Sequence, residues 1–174
     1  RGKIVKYERT LEGRSLSKMG LLKQKPLNDS GDNFAADWGW VAFLGGQCGT
    51  NKNGIVSVNS ASDTEKVSFS TVIAYDDVYS INYFGDFLKG LWTEKFRSVE
   101  EAMIYCADNR EAILSEICSQ DERIVKDAEG FGENYVKILS AAVRQVLAGH
   151  KLVRDKNGEL LYLSKECHSN GCIN

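Results

Sequence analysis

The last eleven residues, SKECHSNGCIN (164–174), concentrate side chains that can do chemistry: a lysine, a carboxylate, a histidine, two cysteines and two asparagines. Hydrolysis needs an activated water or nucleophile, a donor for the developing negative charge and an acid for the leaving group. For that reaction Glu166 is the candidate base or acid, and Lys165 and the Asn170 amide are the candidate oxyanion donors. The alternative is that Lys165 and Glu166 form a solvated pair at a strand end, because most carboxylates are not catalytic.

The same stretch offers zinc-type ligands in Cys167, His168 and Cys172. An adjacent cysteine and histidine do not easily reach one tetrahedral ion, and the neighbourhood has no fourth ligand. We therefore expect no metal and no other cofactor. A Cys167–Cys172 disulfide is geometrically possible, with two free thiols as the alternative. Cys106 and Cys118 lie in a helical pattern, where we expect buried free thiols.

Composition limits the classes of partner. The chain has 174 residues, 43% of them hydrophobic, which is enough for a buried core. The chain has 22 basic and 24 acidic residues, and the basic residues form no run. We therefore expect no binding to nucleic acid or to an anionic membrane. No apolar run approaches the length of a transmembrane helix.

The hydrophobic period changes near Tyr75. Residues 1–75 read as strands separated by turn clusters, with GIVSVNS and KVSFSTVIAY alternating, the latter through Val67, Phe69, Thr71 and Ile73. This pattern predicts an antiparallel β-sandwich portion with one buried face. Residues 76–174 form the second predicted domain. Its first helix is expected to run through VYSINYFGDFLKGLW, capped by Asp76 or Asp77.

Two further helices and a hairpin complete the expected α+β fold. Ser98 and Glu101 have the spacing of a capping box. After EGFGENYV an apolar stripe with 3.6-residue spacing predicts a helix through residues Tyr135, Val136, Leu139, Val143, Val146 and Leu147. Asn157-Gly158 predicts a hairpin whose outgoing strand delivers Ser164 to Glu166. For Arg144 we expect a structural ion pair and for His150 a packing role.

Three stretches resemble the secreted microbial glutaminases of the glutaminase A type. They are YDDVYSINYFG (75–85), AAVRQVLAGHKLV (141–153) and LYLSKECHSNG (161–171), in the same order and with similar spacing. The resemblance implies a β-sandwich followed by an (α/α) toroid of helical hairpins, secretion or periplasmic residence, and hydrolysis of the side-chain amide of glutamine or a related γ-glutamyl amide. It also implies that activity requires a second polypeptide carrying the rest of the toroid. Cys167 and His168 depart from the family pattern.

The end of the chain suggests a processing step. The resembling family continues with a threonine after the position of Asn174. Some hydrolases cleave themselves so that a newly exposed threonine becomes the nucleophile, with its own α-amine as base. We therefore expect cleavage after Asn174 to leave this chain paired with a fragment that begins at that threonine. Unrelated proteolysis or trimming of the chain is an alternative of equal weight to this cleavage.

Two other functions remain open. Glycoside hydrolases also join a β-sandwich to an α-toroid and use paired carboxylates, one of which would be Glu166. A non-catalytic carbohydrate-binding module would instead use Trp38 and Trp40, which are expected to share one face of a strand, as a stacking platform. Three measurements separate these functions. An amidohydrolase releases ammonia from glutamine, a glycoside hydrolase releases reducing sugar, and a binding module binds sugar without turnover.

Overall fold

The computed structural model describes residues 2–27, 38–61 and 68–164. Antiparallel strands come first and three helices follow towards the C-terminus, which confirms the predicted α+β layout. The strands are β1 Ile4–Leu11, β2 Arg14–Leu21, β3 Trp40–Leu44, β4 Gln47–Asn51, β5 Gly54–Val58, β6 Val72–Asp76, β7 Ile81–Tyr83, β8 Asp86–Leu88, β9 His150–Arg154 and β10 Leu160–Ser164. The helices are α1 Val99–Asp108, α2 Arg110–Glu129 and α3 Glu133–Gly149, with a 3₁₀ helix at Leu91–Glu94.

The main sheet has the order β1-β2-β3-β6, and each of its pairings is antiparallel. Successive side chains of β2 point to opposite faces, as strand geometry requires. Ser15 and Ser17 face the β4–β5 hairpin, where the Ser17 hydroxyl donates to the Val56 carbonyl at 3.3 Å and the Ser15 hydroxyl accepts from the Cys48 N–H at 3.0 Å. The hairpin thus forms a second β layer over this face of the sheet.

Helix α1 covers part of the opposite face. The buried core consists of residues from β2, β3 and α1: Leu16, Ala42, Leu44, Val99 and Met103. Val72 and Ala74 of β6 pack against this core, whereas Ile73 is 69% exposed. The prediction that Ile73 belongs to the buried face is therefore wrong. Alternation alone identifies two faces but does not say which one α1 will cover.

The start of α1 follows the predicted capping pattern. The Ser98 hydroxyl accepts from the Glu101 N–H at 3.2 Å. The Glu101 carboxylate in turn accepts from the Arg97 N–H at 2.7 Å. These two bonds satisfy backbone donors that lack partners in the first turn of a helix.

The helix predicted directly after Tyr75 is absent. The chain instead leaves β6 at Asp76 and forms the short β7–β8 hairpin before the 3₁₀ helix. Asp77 is buried and accepts a side-chain bond from Ser80, so it caps no helix. At the β7–β8 turn the Asn82 side chain accepts from the Gly85 N–H, and Gly85 has φ +97°. This local turn chemistry favours a hairpin over the helix that the apolar spacing predicted.

Helices α2 and α3 are joined by a short connection and pack on each other as a helical hairpin. The predicted apolar stripe of α3 is present as one face of that helix. Cys106 and Cys118 are exposed free thiols, so the prediction that they are buried is wrong. Within the described ranges, no helix is long and apolar enough to cross a membrane.

The predicted C-terminal hairpin is confirmed by the β9–β10 pairing. Its turn is held by Asp155, whose Oδ1 accepts from the N–H groups of Asn157 and Glu159, and Gly158 supplies the positive φ of +88°. Val153 is fully buried and forms a β-bridge with Gly90. The hairpin is thereby attached to the segment that precedes α1.

We expect Met103→Ala to lower the free energy of unfolding by about 2–5 kcal/mol, because it leaves a cavity at a core position. Met103 is 1% exposed. Chemical denaturation followed by circular dichroism measures the change. The matched control is Leu22→Ala, at a position 54% exposed, which should change stability by less than about 0.5 kcal/mol. Equal losses in the two variants would contradict this description of the core.

The ion pair between Lys18 of β2 and Glu100 of α1, at 2.8 Å, connects the sheet to the helix. Burial raises the pKa of Glu100, but the hydrogen bond from Lys18, a backbone hydrogen bond and the charges of Lys18 and Arg9 outweigh it, so its pKa lies below the usual value. A carboxyl whose pKa is depressed by folding stabilises the protein above its unfolded pKa. That contribution is lost as the pH falls through the folded pKa.

We therefore expect Glu100→Gln to reduce the loss of stability on acidification from about pH 5 towards pH 3. Unfolding by urea across this pH range measures the slope. Glu116→Gln on the exposed surface of α2 is the control and should leave the slope unchanged. An unaltered slope in Glu100→Gln would show that the ion pair contributes nothing to the acid response.

Candidate functional site

A cleft of about 370 Å³ opens where the end of β6, the 3₁₀ helix and the start of β9 meet. Its lining is formed by Tyr75, Asp77, Ser80, Gly90, Leu91, Trp92, His150, Lys151 and Leu152. These residues come from two parts of the chain about seventy positions apart. Polar groups on a partly apolar wall are typical of small-molecule sites.

Asp77 is the buried charge of this cleft, at 3% exposure. Its Oδ1 accepts from the Ser80 hydroxyl at 2.9 Å, and its Oδ2 lies 3.4 Å from the ammonium of Lys151. A buried carboxylate is costly unless it is paired and hydrogen-bonded. These contacts therefore position Lys151 of the C-terminal hairpin against the segment that follows β6.

His150 lies beside Lys151 at the junction of α3 and β9. Its Nδ1 is 2.8 Å from the Val146 carbonyl, and its ring stacks on Tyr162 at a centroid distance of 4.8 Å. Because a carbonyl oxygen only accepts, Nδ1 must carry the proton, and in the neutral ring Nε2 is then an acceptor. His150 thus packs as expected, but it also lines the cleft, which spacing alone did not indicate.

Tyr75 forms another part of the wall. Its hydroxyl donates to the Trp38 carbonyl at 3.5 Å. Its ring lies so close to Gly39 that a Cβ there would meet the hydroxyl oxygen at 2.5 Å, and Gly39 has φ +99°. Burial first, and the negative charges of Asp77 and Asp76 next, raise the pKa of the Tyr75 phenol above its ordinary value. The phenol therefore stays protonated and able to donate near neutral pH.

The predicted catalytic residues Lys165, Glu166 and Asn170, and the predicted processing residue Asn174, lie outside the described residues. The last described residue, Ser164, is the register partner of His150. The chain therefore enters the SKECHSNGCIN stretch from a position beside the cleft wall. The predicted strand exit is in place, whereas the roles of the residues beyond it stay predictions.

The predicted tryptophan pair is arranged differently from the expectation. Strand β3 begins at Trp40, and Trp38 precedes it, separated by the positive φ of Gly39. The two tryptophans therefore do not lie on one strand. The prediction that they share a strand face is wrong. The Trp38 Nε1 atom is buried and has no hydrogen-bond partner among the described residues.

Sequence reasoning missed Asp77, Ser80, His150 and Lys151 as one group. The acidic pair at residues 76–77 also fits helix capping. The His-Lys pair begins a strand, where the sequence does not show which elements the two side chains face. Both pairs lie within the stretches that resemble glutaminase A, which was the available signal. Within residues 2–27, 38–61 and 68–164, no cluster of three potential metal ligands occurs.

The arrangement combines an imidazole acceptor and an ammonium donor around one cleft, beside a phenol whose proton is donated to the Trp38 carbonyl. An acceptor can take a proton from water, and fixed donors can stabilise an oxyanion. Asp77 holds Lys151 without itself being exposed to the solvent. The cleft therefore contains the classes of group that hydrolysis of a carbonyl compound uses.

A family model described as the glutaminase A six helical-hairpin domain matches residues 132–174. The matched region contains α3, β9, β10 and the residues that follow, so it includes one wall of the cleft. The match spans less than half of the chain and supports a relation to glutaminase A in this region. The curated proteins include no match to this chain, and the solved structures include none either.

The raised pKa of Tyr75 predicts a response to alkali. A group whose pKa is raised by folding stabilises the protein below its unfolded pKa, and this contribution is lost as the pH rises through the folded pKa. We expect Tyr75→Phe to lose less stability than the wild type above about pH 10. The effect should be small, because Tyr75 is 50% exposed. Urea unfolding from pH 8 to 11 tests it against Tyr135→Phe on α3, and identical slopes would contradict it.

Proposed function

We propose that the chain forms part of a glutaminase-like amidohydrolase that cleaves the side-chain amide of glutamine or a related γ-glutamyl amide. The observation that carries the proposal is the Asp77–Lys151 contact. It joins the stretch 75–85 to the stretch 141–153, two of the three that resemble glutaminase A. Their meeting point is a cleft whose second half lies in the region matched by the glutaminase A domain.

In this proposal His150 accepts a proton from the attacking water at Nε2, because its Nδ1 is committed to the Val146 carbonyl. The Lys151 ammonium donates to the oxyanion that forms on the amide carbonyl. Asp77 and Ser80 keep Lys151 in place. Glu166, two residues beyond the register partner of His150, supplies the acid for the leaving ammonia.

The described part of the cleft favours amide chemistry over glycoside hydrolysis. Glycosidases use two carboxyl groups that flank the scissile bond. Among the described lining residues the carboxylate is Asp77, and it is buried and engaged by Ser80 and Lys151. The donors around it suit a developing oxyanion better than an oxocarbenium ion, which carries the opposite charge.

The proposal includes a second polypeptide segment that completes the helical domain. Val136, Leu139 and Val143 of α3 are half-buried, while Val146 is 45% and Leu147 66% exposed on the same side of the helix. An apolar stripe that continues into solvent is typical of a surface that another element covers. The proposed occupant is a helical hairpin of the same six-hairpin domain, whose matched region begins just before α3.

Secretion or periplasmic residence and cleavage after Asn174 belong to the same proposal and rest on the resemblance. If cleavage exposes a threonine that replaces water as the attacking nucleophile, the partner polypeptide begins at that threonine. N-terminal sequencing and intact mass of every polypeptide that copurifies test this step. A partner that begins elsewhere, or activity that survives substitution of that threonine, would refute the processing step without refuting the amidohydrolase site.

We expect His150→Gln and Lys151→Gln each to lower kcat for glutamine by about 10²–10⁴-fold, the range for loss of a proton-transfer group or an oxyanion donor. Ammonia release is measured on the chain together with the polypeptide that completes it. The control is Lys156→Gln in the turn of the same hairpin, where Lys156 pairs with Asp86 at the surface. Its activity should equal that of the wild type.

Three outcomes of this assay would refute the proposed activity. They are release of reducing sugar without release of ammonia, no hydrolysis of any γ-glutamyl amide by the complete assembly, and full activity in both cleft variants. Near-ultraviolet circular dichroism of each variant separates loss of chemistry from loss of folding.

We expect Leu147→Glu to weaken association with the completing polypeptide by at least about tenfold, because a charge would be buried in the apolar contact. Ala141→Glu places the same charge on the opposite side of α3 and serves as the control. Size-exclusion chromatography of the coexpressed polypeptides measures association, and far-ultraviolet circular dichroism checks helix content. Equal association in the two variants would place the partner elsewhere.

A further inference from the structure

A second concave surface lies on the main sheet, beyond the part that α1 covers. It has a volume of about 200 Å³ and is lined by Tyr7, Arg9, Leu16, Lys18, Trp40 and Glu100. Its walls come from β1, β2, β3 and the first turn of α1. It shares no lining residue with the cleft around Asp77. We refer to it as the aromatic groove.

The indole of Trp40 lies across β2 at Gly20. A Cβ on Gly20 would meet the Trp40 ring at 2.5 and 2.8 Å, so only a glycine permits this approach. The indole therefore packs against the sheet backbone, and the Lys18 ammonium lies over its ring. The ring of Tyr7 stands beside it at a centroid distance of 5.9 Å and an interplanar angle of 44°. Together the two rings form an angled aromatic wall whose position the sheet holds.

Charged groups of both signs surround this aromatic wall. The Lys18 ammonium is 5.1 Å from the centre of the Trp40 ring and 2.8 Å from the Glu100 carboxylate. Their side chains are 16% and 20% exposed, so they are held in place but still reachable by a ligand. Arg9 adds a second cation, close enough to lower the pKa of Glu100. The groove therefore presents cationic donors and an anionic acceptor next to an apolar ring face.

We propose that the aromatic groove is a non-catalytic binding site for one pyranose ring of a glycan. A pyranose has an apolar C–H face that stacks on an aromatic ring, and hydroxyls at its rim that both donate and accept. Trp40 and Tyr7 offer aromatic rings, Lys18 and Arg9 offer donors, and Glu100 offers the acceptor. The volume suits a single sugar ring rather than an extended chain.

The same contacts argue against a nucleic acid as the occupant. A base can stack on Trp40, but its phosphate would then meet the Glu100 carboxylate. Nucleic-acid sites gain most of their affinity by neutralising several phosphates with clustered cations. The chain has a net charge of −2 and no basic run, so that electrostatic contribution is missing. A glycan binds without this electrostatic contribution.

The test is binding of four trisaccharides to the purified chain: cellotriose, chitotriose, mannotriose and trigalacturonic acid. Saturation-transfer difference NMR detects binding directly on the wild type, and quenching of tryptophan fluorescence gives Kd. We expect saturable binding of at least one probe, with the strongest transfer to protons on one face of a single ring. Trp40→Ala should weaken binding by at least about tenfold. Phe84→Ala, at a residue 93% exposed on the β7–β8 turn, is the aromatic control and should bind as the wild type does.

Arg9→Gln provides a second variant, because Arg9 is exposed on β1 and its loss should leave the sheet folded. We expect it to weaken binding by about threefold or more, the loss of one hydrogen bond to a charged donor. No saturable binding of any of the four probes by folded wild type would overturn the proposal. Binding that survives Trp40→Ala, or binding of adenosine monophosphate with none of the sugars, would overturn it as well. Because the assay measures binding alone, its outcome is independent of the amidohydrolase assay.

Discussion

The buried carboxylate of Asp77 is the constraint on which the cleft depends. A charge that is 3% exposed must be compensated, and here Ser80 and Lys151 contribute to that compensation. Ser80 is local, but Lys151 is the second residue of the C-terminal hairpin, so satisfying this one group brings two distant parts of the chain together. The buried bridge between Gly90 and Val153 and the ion pair between Arg154 and Glu94 also attach the hairpin near this point.

Strand β2 connects several other parts of the molecule. Its alternating side chains serve two different neighbours: Leu16 joins the core under α1, while Ser15 and Ser17 bond to the β4–β5 hairpin. Farther along the core-facing side, Lys18 and Gly20 shape the aromatic groove. One strand thus contributes to the core, to the second β layer and to the proposed sugar site, because a pleated strand presents a different set of residues to each face.

Much of the secondary structure followed from local signals. The Ser98–Glu101 spacing, the apolar stripe of α3 and the Asn157-Gly158 turn each act within a few residues, so their outcomes are visible in the sequence. The segment after Tyr75 does not form the expected helix, because its apolar residues at helical spacing belong to a short hairpin closed by a glycine turn. Ile73 and the helix cysteines are exposed rather than buried as expected, for another reason. Burial depends on which neighbouring element covers a face, and a local pattern does not contain that information.

The sequence by itself determined the order of strands and helices, the caps and turns that bound them, and a resemblance to glutaminase A carried by three separate stretches. The tertiary structure alone decided that two of these stretches meet, that Asp77 is buried against Lys151, and that Trp40 lies across Gly20 beside Tyr7 and Lys18. The physical reason is the separation along the chain of the residues that interact. Capping and turn formation are settled by hydrogen bonds between near neighbours, whereas compensation of a buried charge and packing of a ring on a glycine depend on residues far away in the chain.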